Sequence, residues 1–330
     1  MNFEIPVLNK NHENKERKAG FEIEFTGIDL KDAAHVVKNI FNGNVFEKSK
    51  FEYIVSDTLF GDFSIELDAD ILLNKGYEHY LSKAGINLSD YKVKPEIEEL
   101  LNKLASTVVP YEIVTPPIPF SDLYLVNNLS DELRIFGAKG TKSSFLNAFG
   151  MHINAEVPSF EADVLVYYLK SFFLLYDYII EKSQIDFSRK MTPFIDKFED
   201  EYINFVLNEN YLPSINELID DYIKFNPTRN RALDMLPVFA FINENRVKNN
   251  VKDYHLTGKR PSFHYRLPNS CVGSKDWKPS QEWNLWVKIE NLASDKDKIN
   301  ELSKEYFKNQ KNFFKKSKWI EKIKKFYNEK

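Results

Sequence analysis

Gly20-Phe21-Glu22-Ile23-Glu24-Phe25 alternates apolar and acidic positions, the two-residue period of a strand with one buried face. The period then changes. Asp29 suits a helix N-cap, and Ala33, Val36, Val37 and Ile40 recur at helical spacing, so a helix is predicted over 29–41. Residues 51–55 and 63–68 predict two strands about a Gly61-Asp62 turn. Residues 74–95 are polar and irregular, and 95–104 reads as a short helix. A strand over 111–115 is stopped by Pro116-Pro117, a helix follows over 121–136, and 137–141 is a flexible loop. Residues 150–156 alternate again. From 159 to about 245 the pattern is mostly helical, and 162–180 is apolar enough for a buried helix. One more short strand falls at 262–267, and 283–330 is helical and Lys-rich.

Strands and helices do not alternate strictly, and uneven insertions separate the strands. The pattern predicts an α+β fold with an antiparallel or mixed sheet flanked by helices rather than a doubly wound parallel sheet. The expected organisation is a flexible leader over 1–18, a main domain over 19–270 with a helical insertion over about 159–245, and a Lys-rich helical extension over 280–330. With 330 residues, 43% hydrophobic and 15% aromatic, the chain can fill a substantial core. A net charge of -4 supplies no global field that would draw nucleic acid or an anionic membrane. One cysteine, Cys271, rules out an internal disulfide and a Cys-based metal cluster. No apolar run is long enough to span a bilayer, and 1–18 lacks the apolar core of a signal peptide, so a cytoplasmic setting is expected. The Lys-rich end could meet nucleic acid or an acidic protein; a solvated amphipathic helix with Phe, Trp and Ile turned inward is the simpler account.

Several predicted strands carry chemistry-bearing residues on one face. Glu22 and Glu24 share a face with Cα atoms roughly 6.5–7 Å apart. Two carboxylates so placed either face solvent or hold a hard cation such as Mg²⁺ or Mn²⁺. Asp62, Ser64, Glu66 and Asp68 repeat the choice on another strand. Glu112 stands just before a double proline that fixes the backbone. His152, Asn154 and Glu156 share a face and could hold a metal or phosphate. Arg266, beside His264, could fork onto a phosphate or carboxylate, with Arg229 and Arg231 as further donors or as surface ion-pair partners. Gly137-Ala138-Lys139-Gly140-Thr141 could cradle phosphate or be a plain loop; its spacing is not that of a P-loop.

Gly20–Phe25, Glu112-Ile-Val-Thr-Pro-Pro117, the run from Ala148 through His152 to Glu156, and Asn226-Pro-Thr-Arg-Asn-Arg-Ala-Leu-Asp-Met-Leu-Pro237 together resemble the amidoligase family. That family belongs to the glutamine synthetase and glutamate-cysteine ligase fold group. The resemblance runs from about Gly20 to Pro268. It implies a curved sheet of the glutamine synthetase catalytic-domain type and an ATP-dependent ligase. ATP would phosphorylate a carboxylate, and an amine would attack the acyl phosphate. The resemblance further implies that Glu22, Glu24, Glu66, Glu112 and His152 hold Mg²⁺ or Mn²⁺. Arg266, Arg229 and Asn154 would act on the reacting groups, and Lys139, Gly140, Thr141, Arg266 and His264 would hold ATP. The partners would be ATP, a carboxylate and an amine, with an amino acid or peptide among them. At one position the chain departs from the group: where the closing strand often reads Glu-x-Arg, it reads His264-Tyr265-Arg266. Alternatives are another phosphoryl-transfer enzyme on the same fold, such as a guanidino kinase, or a non-catalytic descendant that binds a nucleotide or partner.

Overall fold

The computed structural model describes residues 1–68, 110–141, 149–185, 195–252, 254–310 and 315–329. The irregular stretch at 74–95 and the short helix at 95–104 lie outside them.

Among the described residues, the alternating segments assemble into one sheet of nine strands. They are β1 (Lys18–Phe25), β2 (Asn44–Ser49), β3 (Glu52–Ser56), β4 (Phe63–Leu67), β5 (Tyr111–Val114), β6 (Ile118–Pro119), β7 (Met151–Ala155), β8 (Leu233–Asp234) and β9 (His264–Tyr265). Their order is β2-β3-β4-β5-β1-β7-β9-β8, with β6 paired to the start of β1, and every pair is antiparallel. The fold is α+β, and β1 sits near its centre.

Directly opposed residues of an antiparallel pair lie on the same side of the sheet. Ile65, Ile113, Ile23 and Met151 therefore form one apolar row across four strands, and Phe21, Ile153, Tyr265 and Leu233 form the next. All eight are fully buried. A one-residue slip of any central strand would put these groups on the polar side, so the two rows fix the register.

Helices cover this apolar face. The helix Leu30–Phe41 starts where Asp29 accepts a 2.7 Å hydrogen bond from the Asp32 amide, and it lays Phe41 against Phe63. The helix Pro279–Ala293 sets Trp283 on Phe21 and Trp286 on Tyr265 and Phe263. The helix Ala162–Lys182 stacks Tyr168 on Phe263 and turns Phe172 edge-on to Tyr265. Helices Asp200–Leu207, Lys296–Asn309 and Lys315–Phe326 pack outside it. No helix among the described residues is long and apolar enough to cross a membrane.

The structure adds four details to the sequence pattern. Asn44–Ser49 forms an edge strand although its two apolar residues, Val45 and Phe46, are adjacent and fall on opposite faces; β3 supplies its hydrogen bonds, and its charges suit an edge. The helical stretch over 159–245 is interrupted by β8, which joins the sheet through β9. The predicted strand over 262–267 shortens to His264–Tyr265. Residues 1–17 lie against the helix Pro279–Ala293: Arg17 is fully buried and pairs in a fork with Glu290 at 2.7 and 2.8 Å, and Phe3 packs on Phe21 and Trp283.

Candidate active site

The face of the sheet opposite the helices carries the polar half of each alternation. Glu66 on β4, Glu112 on β5 and Glu24 on β1 are direct neighbours across adjacent strands, and Glu52 on β3 continues the row. Glu22, one pleat along, stands opposite His152, and Gly20 stands opposite Asn154. On the far side of β7, His264 and Asp234 oppose each other. Register across seven strands thus turns the alternation into a two-dimensional array of charge.

The acidic end of the array is crowded. Burial first, and then the carboxylates of Asp68, Glu22, Glu24 and Glu66, push the Glu112 carboxyl well above the ordinary carboxylate range. Glu24 is held in place, since the Gly150 amide donates to its Oε2 at 2.7 Å and Ser270 Oγ donates to its backbone carbonyl at 2.5 Å. Ser64 Oγ donates to Glu66 Oε2 at 2.9 Å.

The centre is a network around Glu22. His152 Nδ1 lies 2.5 Å from Glu22 Oε2, and Asn154 Nδ2 donates to Glu22 Oε1 at 2.9 Å. His264 Nε2 is 3.4 Å from Glu22 Oε2 and 3.4 Å from His152 Nδ1. Burial works to raise the Glu22 carboxyl, but the nearness of His264 and the bond from His152 outweigh it and hold Glu22 well below its ordinary value. Burial pushes the His152 imidazole down to about 3 against the opposite pull of Glu22. The pair at neutral pH is therefore a carboxylate and a neutral imidazole. Glu22, His152 and His264 each offer one donor atom, all within 4.8 Å of one another, and so form a group able to hold a metal ion.

The basic end lies beyond. Arg260 Nη2 donates to Asn154 Oδ1 at 2.8 Å and approaches Glu22 Oε1 at 3.4 Å. Arg266 is buried, and its backbone amide donates to the Ala232 carbonyl. Burial lowers its guanidinium from the ordinary value; Asp234 and Glu22 pull the other way, and Arg229 and Arg260 add to the lowering. An arginine keeps its charge through such a shift. The sheet face thus runs from carboxylates to guanidiniums, with two imidazoles and an amide between them.

Other sequence candidates stand elsewhere or, like Arg229 beside Arg266, turn to backbone partners. In the 137–141 loop, the amides of Gly137, Ala138, Lys139 and Thr141 donate to Arg134, Leu133, Thr26 and Ser270 carbonyls. Gly140 is packed on the backbone of Ser270–Val272, where a Cβ would come within 2.8 Å of the Val272 nitrogen. Lys139 is exposed and pairs through its backbone with Thr26, two positions past Glu24. Arg229 Nη1 donates to the Leu256 carbonyl, and Arg231 Nη1 donates to the Lys197 carbonyl with its guanidinium over Phe198. Glu156 accepts from Asn11 and from the Lys18 amide, at the opposite end of β7 from Glu24. Asp62 is exposed in the turn before β4. Two residues of the network lack a sequence signal of their own: Arg260 sits in an aperiodic loop, and Asp234 in a strand too short to show a period.

A family model described as "Putative amidoligase enzyme" matches residues 15–288, and the chain belongs to this family. Membership points to an enzyme of the ligase type. The match takes in all nine strands and ends inside the helix Pro279–Ala293, leaving the last two helices beyond it. Searches of the curated proteins and of the solved structures return no match.

Proposed function

We propose that the chain is an ATP- and Mg²⁺-dependent carboxylate-amine ligase on a glutamine synthetase-like sheet, and that it forms an amide or isopeptide bond through an acyl phosphate. The observation that carries this reading is the gradient across one sheet face, from the Glu24, Glu66 and Glu112 carboxylates to the Arg260 and Arg266 guanidiniums. Amide formation from a carboxylate needs a leaving group on the acyl carbon. Transfer of the ATP γ-phosphoryl group to a carboxylate oxygen releases ADP. Attack by a neutral amine then expels inorganic phosphate, with loss of one proton from nitrogen. Both steps bring anions together, so the protein must supply positive charge in fixed positions.

The residues fit a hard divalent cation. Glu112 is pushed up by burial and by surrounding carboxylates, the strain that a shared cation relieves. Glu22, Glu24, Glu66 and Glu112 would hold Mg²⁺, which when bound neutralises phosphate charge. The chain's own groups do the rest. Arg266 and Arg260 face the anionic reactants, and Asn154 orients Arg260 while bonded to Glu22. His152, neutral and partly buried, keeps Glu22 in position. Arg229, near Arg266, adds to the positive end. An amino acid or peptide suits the role of carboxylate or amine donor.

Glu24→Gln tests this reading. It keeps the side-chain volume and an oxygen for the Gly150 amide but removes the charge beside Glu112. Circular dichroism should be unchanged, while Mg²⁺-dependent ATP affinity should fall at least tenfold, or about 1.4 kcal/mol. Unchanged nucleotide affinity in a folded variant would defeat the assignment.

A further inference from the structure

A cavity of about 390 Å³ lies on the helical side of the sheet, away from the charged face. The helix Ala162–Lys182, the chain at 195–200, and the helices Lys296–Asn309 and Lys315–Phe326 enclose it. Its volume is that of a small-molecule site. The family match ends at residue 288, so the walls given by Tyr306 and Trp319 come from helices beyond it. We propose that this cavity binds a linear organic amine carrying two or more ammonium groups, a diamine or polyamine.

The charges of the lining favour a cation. Asp177, Asp196 and Asp200 face the cavity against two lysines, Lys197 and Lys316. Lys316 Nζ pairs with Asp177 Oδ1 at 3.0 Å, and Lys197 Nζ pairs with Asp200 Oδ1 at 3.0 Å. These pairs already show two of the carboxylates receiving an ammonium group. Both lysine side chains are more than half exposed, at 63% and 51%. Exposed pairs contribute little to stability, so a ligand's ammonium replaces either lysine while the lysine turns to water. Burial raises the Asp196 carboxyl, although Arg231 pulls it the other way. An ammonium beside Asp196 would favour its charged form.

The walls between the carboxylates are aromatic and apolar. Tyr306 meets Trp319 edge to face, with ring centroids 5.3 Å apart, and Trp319 Nε1 donates to the Leu174 carbonyl at 2.9 Å. That bond anchors the pair to the helix Ala162–Lys182, which also supplies Tyr176. Burial, and then Asp177 and Asp196, raise the Tyr176 phenol; burial, and then Asp200 and Asp177, push the Tyr306 phenol up to about 12. Both rings therefore stay neutral at physiological pH and present faces that attract a cation. Ile180 and Ile195 complete the lining and suit the methylene stem between two ammonium groups. A bare Mg²⁺ ion, which keeps its water shell, gains nothing from rings and methyl groups. The alternation of acid and apolar wall thus matches an alkylamine rather than a metal ion or an anion.

Isothermal titration calorimetry of the full chain with spermidine tests the proposal. Excess Mg²⁺ occupies the carboxylates of the sheet face, and ionic strength is held fixed. The expected result is saturable binding of one equivalent, with putrescine competing and the uncharged 1,4-butanediol giving no heat. Asp196→Asn and Asp177→Asn should each weaken spermidine binding about tenfold or more, the worth of a charge-assisted hydrogen bond. Tyr306→Leu should weaken it through loss of the ring face, and Glu24→Gln, on the sheet face, should leave spermidine affinity unchanged. Circular dichroism establishes that each variant folds; should Tyr306→Leu unfold, the exposed Asp196→Asn decides. Heat that never saturates, binding abolished by Mg²⁺, or unchanged affinity in folded Asp196→Asn would each overturn the proposal. So would binding lost in Glu24→Gln and kept in Asp196→Asn, which would put the amine on the sheet face. The site does not rest on the ligase reading: a chain that binds spermidine here but never turns over ATP would refute that reading and leave this one standing.

Discussion

Single residues at the site are placed where their own chemistry is unfavourable, and neighbours offset the cost. Glu112 is the clearest case. Its raised carboxyl means that the folded state loses stability as pH climbs from the ordinary carboxylate value through the raised one. Glu112→Gln removes that loss. Without divalent cations the variant should therefore resist urea better than the natural chain at pH 8, with little difference at pH 4. It should also lose most of the stabilisation that Mg²⁺ confers. Denaturation at the two pH values, with and without Mg²⁺, checks both; a variant weaker than the natural chain at pH 8 would contradict it. How much of this was legible in the sequence varies by residue. Glu22, Glu24, Glu66, Glu112, His152 and Asn154 show themselves through period-2 spacing, because alternate residues share a face. His264 stands out because the resemblance drawn from the sequence leads to Glu at that position. Arg260 does not, since the 254–262 stretch has no period and its neighbours Gly258 and Lys259 read as an ordinary polar loop.

At the scale of elements, the array is made by strand register, and register is made by the apolar rows on the other side. The sequence supplies each strand's pattern but not its neighbours; the order that sets β7 between β1 and β9 comes from pairings over 100 residues apart. The edge strand β2 went unforeseen because its two apolar residues, Val45 and Phe46, are consecutive and so give no alternation, and its hydrogen bonds come from β3. Residues 1–18, read as a loose leader, are polar in sequence, yet Arg17 is buried against Glu290, 273 residues away, where Tyr168 and Trp286 also donate. No local pattern can announce such a partner. Removing one member of a buried pair leaves an uncompensated charge, so Arg17→Met should cost about 3–5 kcal/mol in urea denaturation. A loss under 1 kcal/mol would mean that the amino-terminal segment contributes little to the core.

At the scale of the molecule, one sheet divides two tasks. Its apolar side, under aromatic helices, carries stability; its other side carries the charges. Carboxylates and guanidiniums that would repel or lose hydration if buried singly are tolerated because the packed side holds the sheet rigid. Membership of the amidoligase family gives this face a reaction class, and its gradient of charge gives a route. The central claim is that the chain activates a carboxylate as an acyl phosphate. Incubation with ATP, Mg²⁺, a pool of amino acids and peptides, and hydroxylamine traps such a species as a hydroxamate while ADP accumulates. The account predicts hydroxamate that requires ATP, Mg²⁺ and a carboxylate, and that disappears in Glu24→Gln. ATP that neither binds nor turns over, or ADP released with a phosphorylated amine and no hydroxamate, would contradict it.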